Sequence, residues 1–110
     1  MRAFFVTQAR SLDVSSVTEH GTAAYLLDRP PSPFKTSECL HAIEQALTLQ
    51  SYQPGVDFIA IAGPSILTAL LVAVAASRGP VNALLWDAPS ERYVTRTVSI
   101  TGRFVEERAS

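Results

Sequence analysis

The sequence predicts an α/β fold: a small four- to five-stranded, mainly parallel sheet with two main helices and an antiparallel C-terminal edge strand. Three observations predict it. Residues 56–87 (VDFIAIAGPSILTALLVAVAASRGPVNALLWD) read as strand, helix and strand, punctuated by Gly63-Pro64 and Gly79-Pro80. Residues 36–50 place apolar side chains three and four apart, the period of a helix with one buried stripe. Residues 92–100 alternate apolar and polar, as a strand with unlike faces does.

Taken in order, residues 2–7 are aromatic and β-branched on both faces, which suits a strand in the middle of the sheet. Residues 11–21 are rich in Ser, Thr and Asp and read as a loop or short helix capped near Ser11 or Asp13. His20 is expected there as a solvated side chain. A second strand at 22–27 is stopped by Asp28-Arg29-Pro30-Pro31-Ser32-Pro33, because proline cannot donate a ladder hydrogen bond. Phe34 is expected to pin this stiff connector to the body. The helix that follows starts with Thr36 as N-cap and Glu38 in its first turn, where the helix dipole favours an anion. Leu40, Ile43, Ala46 and Leu47 form its buried stripe. Cys39 and His41, two positions apart, point to opposite sides of a helix and cannot share a metal. Cys39 is expected in the core and His41 on the surface. Tyr52-Gln53-Pro54-Gly55 ends the helix.

Residues 56–62 are apolar at nearly every position, as a strand covered on both faces should be. Gly63 permits a sharp turn and Pro64 suits the first helical position, where its missing N–H costs nothing. The helix over 64–77 is Leu, Ala, Val and Ile all round, with no solvent face. A helix of that kind must be covered on both sides, so a homo-oligomer, a dimer through this helix, is predicted. The alternative is that residues 11–21 or the C-terminal tail fold over it. Residues 81–86 form the next strand, parallel to its predecessor through a right-handed crossover. A turn at 87–91 then leads into the edge strand, with Tyr93 or Val94, then Val98 and Ile100, facing inward. A single domain over 1–100 and a weakly ordered tail over 101–110 complete the plan.

Length and composition set bounds on function. A chain of 110 residues is long enough for one domain. Charged residues make up only 17% against 47% hydrophobic, which leaves apolar surface for a partner. The net charge is −1 and the nine basic residues are scattered singly, so binding to duplex nucleic acid is disfavoured. One cysteine excludes an internal disulfide and suits a cytoplasmic setting. The opening apolar run is too short for a signal-peptide core. The uncharged run 58–77 approaches membrane-spanning length, but Gly63-Pro64 breaks it. The remaining helix, at 1.5 Å per residue, reaches about 21 Å against a hydrocarbon core of about 30 Å.

In parallel sheets ligands bind beyond the carboxyl ends of the strands. The candidates there are Thr7, Gln8, Arg10, Gly63, Ser65, Asp87 and Arg92. Gly63-Pro64-Ser65 is the most suggestive corner, since free N–H groups and the Ser65 hydroxyl at a positive helix end suit a phosphate or carboxylate. Neither a G-x-G-x-x-G nor a G-x-x-x-x-G-K-[ST] loop is present, and Ser65 lacks the glycine pair of a nucleophile elbow. Asp87 before Ala-Pro has an ordinary reading as a turn cap. No catalytic residue, metal site or cofactor is predicted.

The pattern D-F-x-x-x-x-G, then G-x-V-N-x-L-x-W-D-x-x-x-x-R-Y, running from Asp57 to Tyr93, together with the opening M-R-x-F-x-V-T, resembles a group of small proteins carried by bacteriophages and mobile elements. The resemblance implies a compact phage-encoded accessory protein, and it brings no catalytic residue with it. The expected function is a small non-enzymatic oligomeric binding protein, accessory or anti-defence in role, holding a nucleotide-like anion or a host or phage protein. The alternatives are an enzyme of the nucleotide or cyclic-oligonucleotide phosphodiesterase kind, with Ser65, Arg10 and Arg92 positioning phosphates, and a purely structural assembly subunit.

Overall fold

The apolar run Phe4-Phe5-Val6 forms the middle of β1 (Arg2–Thr7), and β2 (Thr22–Leu27) and β3 (Phe58–Ile61) pair with it on either side, both parallel. Next to β3 lies β4 (Val81–Asp87), also parallel, followed by β5 (Arg92–Thr101) and β6 (Phe104–Ala109), both antiparallel. The sheet order is β2-β1-β3-β4-β5-β6. Among the described residues two α-helices accompany it, α1 (Thr36–Leu49) and α2 (Ser65–Arg78). This computed structural model describes residues 1–7, 17, 20–29, 31–32, 34–62, 65–101 and 104–109, with the side chains of 100, 101 and 104–109 left out of the description.

The α/β class, the mainly parallel sheet, the two helices and the antiparallel β4–β5 pair are as the sequence predicts. The strand count is higher. Residues 104–109 lie in the segment expected as a tail, and their backbone pairs with β5. The edge position therefore passes from β5 to β6, and β5 has a neighbour on both sides.

Chain handedness explains which face each connection covers. The step from β1 to β2 runs one way across the sheet, whereas the steps through α1 to β3 and through α2 to β4 run the other way. Right-handed crossovers that move in opposite directions must lie on opposite faces. The packing agrees. Both helices bury their apolar stripes on one face, where Cys39, Ile43 and Leu47 of α1 meet Leu67, Leu71 and Val74 of α2 over Phe4, Val6, Ile59 and Ala83. On the other face Val17, from the β1–β2 connection, packs with Ala3, Phe5, Ala60, Leu84 and Tyr93.

Side-chain parity settles the ambiguity in β5. Tyr93 is buried on the face opposite the helices, and Val94 and Val98, one parity away, are half-buried towards the helix side. Each face of the strand thus packs something, which is why the alternation alone left two candidates.

The ends of α1 differ from expectation. Thr36 is the first helical residue, not the cap; Lys35 occupies the N-cap position without a side-chain hydrogen bond. The C-terminus closes by a Schellman arrangement, in which Tyr52 N–H donates to Leu47 O at 3.0 Å and Ser51 N–H to Thr48 O at 3.1 Å. Ser51 sits at φ 56°, the left-handed position where glycine is favoured. The turn is thus made before Pro54 and Gly55 are reached. Replacing Ser51 by Gly is expected to raise stability by about 0.5–1 kcal/mol, since relief of left-handed strain exceeds the added chain entropy. A denaturant midpoint that falls would contradict this.

Phe34 does not pin the connector. It is 94% exposed, and the contact that holds the connector comes instead from Cys39, whose buried thiol donates towards Ser32 O at 3.3 Å.

Candidate functional site

The strand register brings the predicted strand-end residues to one end of the sheet. Phe4 of β1 pairs with Ile59 of β3, and carried forward three residues that register sets Thr7 beside Ala62. Ile61 pairs with Leu85 of β4, and Asp87 closes that strand directly across from Arg92. Thr7, Ser65, Asp87 and Arg92 therefore belong to adjacent elements at the same end. Gln8, Arg10 and Gly63 lie outside the described residues. The order β2-β1-β3 makes the β1/β3 boundary the point where connections leave in opposite directions, the place where open α/β sheets form a crevice.

Two of these side chains have local tasks. The Thr7 hydroxyl is buried and donates to Leu27 O at 2.8 Å, tying the ends of β1 and β2 together. The Asp87 carboxylate accepts from the Ser90 hydroxyl at 2.6 Å, so it caps the β4–β5 turn, which closes with Glu91 N–H donating to Ala88 O. Ser65 is exposed as the first residue of α2. Its hydroxyl and the dipole of α2 are the features at this end that best suit an anion.

A second polar centre lies at the opposite end of the sheet and escaped the sequence reading. Asp57 is 4% exposed and accepts from Arg2 N–H at 3.0 Å and Gln53 N–H at 2.9 Å, with the Arg2 guanidinium at 3.5 Å. That guanidinium also donates to Ser51 O and stacks over the Phe4 ring, 4.7 Å from its centroid. The group locks the start of β1 to the turn between α1 and β3. The sequence signal was present in principle, as a lone Asp heading an apolar strand and a lone Arg heading another.

Beside it, Tyr52 is buried edge-on to Phe4, and its hydroxyl has no hydrogen-bond partner. Its pKa is pushed up to about 12, chiefly by burial and then by the Asp57 charge, with Arg78 opposing. The neutral phenol is the form the fold accommodates. Stability from this group is therefore complete below its ordinary pKa near 10 and is lost as pH rises through about 12, because the unfolded chain ionises first. Absorbance titration should show one tyrosine ionising late, absent from Tyr52→Phe. That variant should be no less stable than the parent, because it removes an unpaired buried hydroxyl without opening a cavity. A marked loss of stability would mean the hydroxyl has a partner.

His20 is not the solvated side chain expected. Its Nε2 lies 3.3 Å from Tyr93 O and its ring packs 5.7 Å from that of Phe58. It helps fasten the β1–β2 connection under the sheet.

The remaining feature is apolar. Between α2 and the β4–β5 hairpin runs a cleft of about 200 Å³ lined by Ile61, Val72, Ala76, Leu85 and Val98, with Arg96 as its charged member. On the outward side of α2 Ile66, Ala69 and Ala73 are exposed. The sequence foresaw a helix without a polar side; the sheet and α1 cover one part of it, and Ile66, Ala69, Ala73 and Ser77 stay exposed. Among the described residues no helix is long and apolar enough to cross a membrane, and no group of three metal-ligating side chains comes together.

Strand order, one-sided helices and a strand-end cluster define a small mixed-sheet α/β protein with a parallel core and an antiparallel C-terminal extension. The comparisons add its kinship. Residues 5–100 match the family described as Phage Pam3 gp32-like protein, and the chain belongs to that family. Neither a curated protein nor a solved structure matches it.

Proposed function

We propose that this phage protein is a small non-enzymatic binding protein that assembles through α2 and engages other proteins by its apolar face, in an accessory or anti-defence role. The observation that carries this reading is the outward side of α2, where Ile66 is 41% exposed and Ala69 and Ala73 are exposed with it, on the same helix whose Val72 and Ala76 line the apolar cleft. Exposed apolar surface costs solubility unless a partner covers it. The polar candidates support the reading from the other side, since Thr7, Asp87 and His20 are each engaged in holding the fold.

A second reading has its own support. Thr7 and Ser65 belong to elements that meet at the β1/β3 boundary, with Asp87 and Arg92 at the same end of the sheet, and an anionic ligand such as a nucleotide would suit that corner. Native mass spectrometry of the purified protein, combined with thermal shift against a panel of nucleotides and cyclic oligonucleotides, separates the two. The first reading expects an oligomer whose melting no nucleotide changes. A monomer that a nucleotide stabilises, with the effect lost in Ser65→Ala or Arg92→Ala, would favour the second. Turnover of that nucleotide would overturn the non-enzymatic assignment.

A further inference from the structure

Resting on the reading that this protein engages other proteins by an apolar face, we infer that the cleft between α2 and the β4–β5 hairpin receives an amphipathic helix of a different protein. That helix sets one large apolar side chain in the cleft and acidic residues beside Arg96. The layers leave a place for it. Five strand spacings of about 4.8 Å make the sheet about 24 Å wide, room for three helices about 10 Å apart on one face. Among the described residues the chain supplies two, with α1 packed on β2 and α2 on β1, β3, β4 and β5. Beside α2 the helix side of the hairpin stays partly open. Leu85 is 37% exposed there, and Val94, Arg96 and Val98 are half-buried.

The cleft itself narrows the occupant. Its volume is about 200 Å³, and an apolar cavity of about 150 Å³ is already enough for benzene, so it takes one ring or branched aliphatic group. Ile61, Val72, Ala76, Leu85 and Val98 offer such a group no side-chain hydrogen bond to orient it, which a free small molecule needs and a side chain carried on a folded segment does not. One wall is α2 and the floor is strand, so the segment lies along α2 as neighbouring helices of one layer do. Arg96 is the charged residue of the lining, and acid on the incoming helix complements it. A second copy does not supply this helix. The outward side of α1 carries Glu38, His41, Glu44, Gln45 and Thr48, with Leu49 at its end, and that of α2 has Ile66 followed by Ala69, Ala73 and Ser77. Neither repeats large apolar side chains along its exposed side.

The test uses the full chain and a synthetic helical peptide whose leucines recur three and four apart, with Glu on both flanks of that stripe. On titration the methyl resonances of Ile61, Val72, Leu85 and Val98 should shift, and changing the flanking Glu to Lys should weaken binding about tenfold. Ala76→Leu, which fills the cleft from the α2 wall, should remove the shifts while keeping the circular dichroism and the assembly mass of the parent. Arg96→Glu should turn the preference towards the Lys-flanked peptide. No binding by either peptide, shifts centred on Ile66, or an Ala76→Leu protein that binds as the parent does would each overturn the cleft as the contact. Equal affinity for a peptide whose helix is broken by proline would overturn the helix and leave the apolar face standing as a protein contact; a Glu preference that survives Arg96→Glu would overturn the acidic flank. Assembly through α2 is read separately, from the mass of the parent without peptide, so its failure is told apart from that of the cleft.

Discussion

Replacing Asp57 by Ala is expected to cost about 3 kcal/mol of folding stability, a large share of what a domain of this size has. The carboxylate is buried and receives two backbone N–H groups, from Arg2 and Gln53, at 3.0 and 2.9 Å. Truncation leaves both donors unpaired in a part-buried corner, and the two losses together come to about 3 kcal/mol. The ion pair with Arg2 contributes less, because the Arg2 side chain is 36% exposed and the contact is long at 3.5 Å. Arg2→Ala should therefore cost well under half as much as Asp57→Ala, and Asp57→Asn, which keeps one carbonyl acceptor, should fall between them. Urea unfolding of the three variants reads the order directly. Equal losses for Arg2→Ala and Asp57→Ala would show that charge, and not the capture of backbone donors, holds this corner.

Gly21→Ala is expected to cost about 2 kcal/mol, the usual scale for forcing a methyl into a space that is already full. Gly21 precedes β2, where Thr22 N–H donates to Met1 O at 3.2 Å and starts the β1–β2 ladder. A Cβ on Gly21 would lie 2.8 Å from Met1 O and 3.1 Å from Met1 C. These are backbone atoms, so they can yield only if the two strands part. Hydrogen exchange should accordingly rise along the whole of β2, an edge strand, while β3 and β4 amides stay protected. An Ala variant with unchanged β2 protection would mean the strands accommodate the methyl by a local shift. Thr22→Ala, at an exposed position, provides the near-neutral control.

The parts of the fold that periodicity governs were legible in the sequence. The strand-helix-strand unit of residues 56–87, the α1 stripe and the β5 alternation each carry a signal within a few residues of one another, and each lies where it was expected. What escaped depends on groups far apart in the chain. Asp57 and Arg2 are 55 positions apart, half the length of the chain, and no local pattern announces that one captures the other's backbone N–H. His20 reads as loop because its partners, Phe58 and Tyr93, come from two other strands. Phe34 was misjudged for a related reason: an apolar residue beside prolines is usually tucked in, but here Cys39 makes the contact and the ring is left outside. Ser51 shows how chemistry can mislead locally, since Pro54 and Gly55 advertise a stop that a serine in the left-handed region has already made.

The placement of the strand-end candidates was legible in the same limited sense. Topology places Thr7, Ser65, Asp87 and Arg92 at one end, which the sequence order of strands implied. Occupation of Thr7 by Leu27 and of Asp87 by Ser90 could not be foreseen, because both depend on how neighbouring strand ends meet. The bare side of α2 was the stronger signal throughout.

The central claim is that this bare side is a subunit contact, and Ile66→Glu tests it most directly. Sedimentation equilibrium of parent and variant from low to high micromolar concentration should show a parent that approaches twice the chain mass and a variant that stays at the mass of one chain. A parent of single-chain mass throughout, or a variant that associates as the parent does, would contradict the claim.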